Sequence, residues 1–170
     1  TFIFVTYFWG GSKYKAFANR WKQYCTKHNV QCYVAEMQQF AKPGMYQQGI
    51  NHKPKFILSM LEKFPRKAVI YMDIDMVLHK YPELFENKHN ADLMCFNWNF
   101  EPAVIGNNCV DPYILETSGG LFFFNNTTQA KHLLKLWYNT LNQPKYRGCA
   151  DDRVLALVFH NHKLLHNTRV

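Results

Sequence analysis

The run Ala68-Val69-Ile70-Tyr71-Met72 offers water almost no polar side chain. A segment this short and apolar reads as a strand buried on both faces, and such strands belong to sheets with helices packed on each side. Asp73 and Asp75 follow it. While the backbone stays extended, residues i and i+2 share a face, so the two carboxylates are expected to leave the chain together and approach one oxygen-loving cation. Adjacent carboxylates repel unless something positive lies between them, and strand ends of open α/β sheets are where ligands gather.

The flanking segments supply the layers. Residues 2–8 are aromatic and β-branched and stop at Gly10-Gly11, which predicts a first strand. Ser12 is expected to cap a helix whose stripe is Tyr14, Phe17, Ala18, Trp21 and Cys25. Val30, Cys32 and Val34 alternate as a second strand, and the turn-rich stretch around Lys42-Pro43-Gly44 has no readable purpose. Pro54 suits the first turn of a helix carrying Phe56, Ile57, Met60, Leu61 and Phe64, which Pro65 ends. Beyond the acidic pair, 91–96 and 120–124 read as strands and 97–116 as a loop too long to be idle. Ala130, Leu133, Leu134, Trp137, Tyr138 and Leu141 form the cleanest helical stripe, and a shorter helix is expected to start near Asp151 or Asp152. Strands and helices alternating with right-handed crossovers predict one α/β domain over 1–170, an open, mostly parallel mixed sheet flanked by helices.

A chain of 170 residues, 48% hydrophobic with 14 Phe and 10 Tyr, can fill one sizeable core. The net charge of +8 favours an anionic partner. The basic residues are scattered (Lys13, Lys15, Arg20, Lys22 and Lys27, then Lys53, Lys55, Lys63, Arg66 and Lys67), which argues against a polybasic arm and a nucleic-acid partner. No apolar stretch is long enough for a transmembrane segment, and the opening run is unlike a secretory leader. The abrupt start and finish predict a piece of a longer protein, truncated at its C-terminus. Five cysteines, an odd number without a C-x-x-C pair, predict free thiols and a cytoplasmic location. The triplets Asn125-Asn126-Thr127 and Asn126-Thr127-Thr128 are taken as chance glycosylation sequons.

At the acidic pair the residues carry a family resemblance. The segment Ala68 to Leu78 resembles the D-x-D strand of GT-A glycosyltransferases, where the pair holds Mn²⁺ or Mg²⁺ against the phosphates of a nucleotide-sugar. The resemblance implies that Asp73 and Asp75 are the metal ligands, with Asp73 bound to the ion or the ribose. Lys53-Pro54-Lys55 is similar to a lysine-proline helix start in several such families, where a lysine meets the diphosphate. Positive charge at a helix start runs against the helix dipole, which weighs a functional role for these lysines evenly against simple solvation, with Lys55 the first candidate to stabilise the diphosphate and Lys53 the second. Thr6 and Tyr7 occupy the place where the family holds base and ribose, Tyr7 offering a stacking face.

Glu116 to Asn125 is similar to the family's second signature, a small polar loop whose Ser118 and Gly119 lie beneath the donor sugar. The pair Asp151-Asp152 resembles the acids that open a helix beside the acceptor, one of which is the general base in inverting members. An N-cap and a first-turn acid explain the same pair structurally. Trp98, Phe100 and Tyr113 either stack on a sugar acceptor or, more simply, anchor the long loop. The family often adds a histidine to the metal site; His160, His162 and His166 are present but stand in no matching motif. Among subfamilies the resemblance is greatest to compact glycosyltransferase domains of large algal viruses. The implied activity is metal-dependent, inverting transfer from a UDP-sugar to a hydroxyl of a glycan or glycoprotein acceptor, in the host cytoplasm if viral.

Two other classes compete. Asp73 to Leu78 also fits the nucleophile strand of haloacid dehalogenase-type Mg-dependent phosphatases, with Asp73 as nucleophile, Asp75 as acid and base and Asp151-Asp152 as later Mg²⁺ ligands. That family opens with its nucleophile strand, whereas two strands and two helices come first here. A binding module without catalysis is the third reading, excluded if the purified protein hydrolyses or transfers.

Overall fold

A computed structural model describes residues 1–86, 90–97 and 117–166, with side chains described to Asn161. β1 (Phe2–Phe8), β2 (Cys32–Glu36), β3 (Ala68–Met72), β4 (Leu93–Asn97) and β5 (Thr117–Phe124) form one sheet in the order β2-β1-β3-β5-β4. β1 pairs parallel with β2 and β3, and β5 pairs antiparallel with β3 and β4. Four strands therefore run one way and β5 runs against them, the mostly parallel mixed sheet expected.

Strand alternation separates two cores. Ile3, Val5 and Tyr7, Val69 and Tyr71, and Phe122 and Phe124 face α3 (Lys53–Lys63), α4 (Thr128–Leu141) and α5 (Asp151–His166). Phe4 and Phe8, Ile70 and Met72, and Phe123 face Trp21 and Cys25 of α1 (Ser12–Lys27). Trp137, fully buried, packs edge-on against Phe122 at 5.5 Å, and its Nε1 donates to the Asp151 carbonyl at 2.8 Å, tying α4 to the start of α5.

Several expectations are corrected. Gly11, not Ser12, is the N-cap of α1, and Ser12 is its first helical residue. Val30 precedes β2. β5 begins at Thr117, so Thr117, Ser118 and Gly119 belong to the strand itself and not to a loop before it. α5 spans 16 residues and is longer than α4, because Val154, Leu155, Val158 and Phe159 carry its buried stripe onward. The stretch around Pro43 leads into a short helix, α2 (Tyr46–Asn51). Trp98, Phe100 and Tyr113 of the expected long loop lie outside the described residues.

Asn126 is a structural residue: its amide donates to the carbonyls of Leu61, Phe64 and Lys67 at 2.8, 3.2 and 3.3 Å, closing the end of α3. Cys25, Cys32, Cys95 and Cys149 are free thiols. Among the described residues no helix is long and apolar enough to cross a membrane.

Candidate active site

β1 and β3 are parallel neighbours, and their carboxyl ends open into a cavity of about 240 Å³. Its walls are Tyr7, Phe8 and Trp9 from β1 and its exit, Tyr71, Asp73, Ile74 and Asp75 from β3 and its exit, and Tyr14, Tyr46, Ile50, Lys53 and Asp151 from the helices. The strand-end position is the one expected of an open α/β sheet.

The acidic pair reaches the cavity by a different route from the one predicted. β3 stops at Met72, and the Met76 N–H donates to the Asp73 carbonyl at 3.1 Å, so the chain turns where it was expected to stay extended. The Asp73 N–H still donates to the Gly120 carbonyl at 2.8 Å, which carries the ladder with β5 one residue further. Asp73 is half-buried and Asp75 exposed. The Asp75 carbonyl accepts from Arg20 at 3.3 Å, fixing the turn to α1.

Lys53 is the hub beneath the pair. Its side chain is 7% exposed, and its ammonium lies 2.7 Å from Asp151 Oδ2 and 3.5 Å from Asp73 Oδ1 and donates to the Gly119 carbonyl at 2.7 Å. It also stands 5.2 Å from the centre of the Tyr71 ring. Burial pulls this ammonium down, but Asp151 and then Asp73 outweigh it and hold Lys53 above its ordinary value. Burial raises the Asp73 carboxyl, against Lys53 and the Tyr71 hydroxyl, although 37% of its side chain still reaches solvent at the cavity. The Tyr71 hydroxyl donates to Asp73 Oδ1 at 2.8 Å. Burial first, then the Asp73 charge, push that phenol well above its usual range, so it stays a donor.

The remaining candidates divide. Lys55, expected ahead of Lys53 at the diphosphate, is exposed, its ammonium 5.7 Å from the Tyr138 ring of α4, and Lys53 stands in the cavity wall in its place. Thr6 is fully buried and is not a wall residue either. Tyr7 lines the cavity, but its hydroxyl is spent on the Gly49 carbonyl at 2.7 Å and its ring packs against Trp9, His52, Phe56 and Tyr71. The expected stacking face is thus largely taken by the protein. Ser118 and Gly119 lie on β5, and a side chain on Gly119 would begin 3.3 Å from Asp152 Oδ2 and 3.6 Å from Asp151 Oδ1. The absence of a side chain there keeps the acids close to the strand. Asp152 is half-buried, and its Oδ1 accepts from the Arg153 N–H at 2.8 Å. His160 is described on α5, whereas the side chains of His162 and His166 lie outside the described residues.

Trp9, Tyr46 and Ile50 are wall residues that the sequence reading did not single out, and Tyr14, expected on the packed stripe of α1, is 40% exposed at the same wall. Trp9 stacks on Tyr7 at 5.9 Å and meets Phe40 and Tyr46 edge-on. It fits there because residue 49 is glycine: a side chain would begin 2.7 Å from the indole. A large aromatic directly after a strand and before Gly10-Gly11 was the available signal.

The fold is similar to that of a solved structure, a glycosyltransferase involved in the glycosylation of the major capsid of PBCV-1. That match has a TM-score of 0.60 and 13% identity and covers 90% of this chain and 72% of the other. Comparison with curated protein sequences gives no match. The family model of nucleotide-diphospho-sugar transferases matches residues 12–167, which include the acidic pair, the Lys53 hub and Asp151-Asp152. With that match the phosphatase alternative falls, and the chain belongs to the nucleotide-diphospho-sugar transferase family and is a glycosyltransferase.

Proposed function

We propose that this single domain, residues 1–170, transfers a sugar from a UDP-sugar to a hydroxyl of a glycan or glycoprotein acceptor, with inversion and with Mn²⁺ or Mg²⁺ held by Asp75 and Asp73. The observation that carries the proposal is the convergence of two carboxylates and an aromatic rim on one strand-end cavity. Among the described residues no group of three or more metal-ligating side chains occurs. Two hard carboxylates nevertheless suit a cation that keeps several waters and takes its other ligands from substrate phosphates. Bound there, the ion would supply Lewis acidity to the leaving diphosphate. Free thiols support a cytoplasmic location, the host's if the protein is virally encoded.

The protein's own groups divide the remaining work. Trp9, with Tyr14 and Tyr46 beside it, offers the platform for the nucleobase in place of the covered Tyr7. Trp9→Ala is expected to weaken UDP binding by about 1–3 kcal/mol, the usual worth of one base–aromatic stack. Calorimetric titration checks it, and an unchanged affinity would remove Trp9 from the platform. Gly119 on β5 lets Asp152 lie close to the strand, and Ser118 beside it is the proposed contact to the donor sugar.

Between the two acids, Asp152 is the better general base, because Asp151 is committed to Lys53 by a 2.7 Å ion pair and is buried. Asp152 would take the proton of the acceptor hydroxyl as that oxygen attacks the sugar. Asp152→Asn should lower the rate of transfer about 10²–10⁴-fold while leaving UDP affinity as it is. Undiminished transfer by that variant would defeat the general-base assignment and point to retention.

A further inference from the structure

Tyr71 stands two residues before Asp73 on the same strand and is 3% exposed. As a packing residue it needs only its ring, which lies among Tyr7, Phe56 and the Lys53 ammonium. Its hydroxyl is an additional polar group in the core, and burying one costs free energy unless a partner meets it. The acceptor it meets is Asp73 Oδ1, at 2.8 Å. Lys53 approaches the same oxygen at 3.5 Å, while its contacts with Asp151 Oδ2 and the Gly119 carbonyl, both at 2.7 Å, keep the ammonium from following any movement of Asp73.

Asp73 Oδ2 is placed differently. It lies toward β5, 3.7 Å from the point where a side chain on Gly120 would begin, and no hydrogen-bond donor among the described residues meets it. The terminal torsion of an aspartate is broad and nearly two-fold, so an unsupported carboxylate would exchange its oxygens and sample many tilts. The Tyr71 hydrogen bond and the Lys53 ion pair at Oδ1 remove that freedom.

We propose that Tyr71 is a positioning residue: with Lys53 it pins Oδ1 of Asp73, so that Oδ2 alone is presented to the cation in the cavity. This rests on the metal-dependent reading above. The role is that of groups which orient a ligating side chain from behind, whose loss typically costs about 10–100-fold in metal affinity.

Tyr71→Phe keeps the ring and removes the hydroxyl. Mn²⁺ binding in the presence of UDP is read from the loss of the free-ion electron paramagnetic resonance signal, and metal-free UDP binding and the melting temperature are measured alongside. The expected result is a Mn²⁺ dissociation constant raised about 10–100-fold, with metal-free UDP affinity unchanged and melting within a few degrees of the parent. A variant that takes Mn²⁺ as tightly as the parent overturns the assignment. So does a metal-free UDP affinity that falls as far as the Mn²⁺ affinity, because Tyr71 would then be supporting the cavity as a whole. If the parent protein itself takes up no Mn²⁺ with UDP, the metal-dependent reading fails first and this one with it.

Discussion

Lys53→Met is expected to be the most damaging single substitution at the site, lowering stability by about 3–5 kcal/mol and abolishing transfer. The reason is what it leaves behind. Lys53 is nearly inaccessible, and its ammonium is the cation that meets both Asp73 and Asp151. Methionine fills a similar volume, so packing against Tyr71 and Phe122 is largely kept, but the buried Asp151 carboxyl loses its counter-ion. The Gly119 carbonyl also loses its donor. Urea unfolding of the parent, Lys53→Met, Asp151→Asn and the double variant separates the terms. The double variant should recover part of the stability, since no buried charge is stranded, yet still fail to transfer. A single variant as stable as the parent would show that the ion pair is solvated and that Lys53 is no hub.

Asp75→Asn should do the opposite, sparing the fold and removing donor binding. Asp75 is exposed, its backbone carbonyl is what Arg20 holds, and asparagine is isosteric, so unfolding should move by no more than about 0.5 kcal/mol. The lost carboxylate is a proposed direct ligand, so its removal should exceed the roughly 10–100-fold cost of disturbing a group behind a ligand. Metal-dependent UDP affinity should therefore fall by more than about 100-fold. Calorimetric titration in Mn²⁺ reads the effect, and parental affinity in the variant would take Asp75 out of the metal site.

The sheet was legible wherever both faces of a strand are buried. Residues 2–8, Thr6 apart, and 68–72 are apolar or aromatic because α1 packs on one side and α3, α4 and α5 on the other. The Asp73-to-Met76 turn was not legible, because Ile74 and Met76 continue an apolar pattern that an extended chain would also show. The choice between the lysines could have been made from helix phase. Lys53 stands three and four residues before Phe56 and Ile57, on the buried stripe of α3, whereas Lys55 lies off that stripe. Asp151 is likewise in phase with Val154, Leu155 and Val158, so its inward side chain was foreseeable. The aromatic rim was harder to foresee. Trp9 is exposed to the cavity only because Gly49, forty residues on, makes room for it, and no local pattern records that distance.

The central claim is that the acidic pair makes donor binding depend on a divalent cation. It is tested most directly by titrating the metal-stripped protein with UDP, once with Mn²⁺ and once with chelator. The account predicts a UDP affinity with Mn²⁺ far above the weak residual affinity measured with chelator. Equal UDP affinity in the two titrations would contradict it.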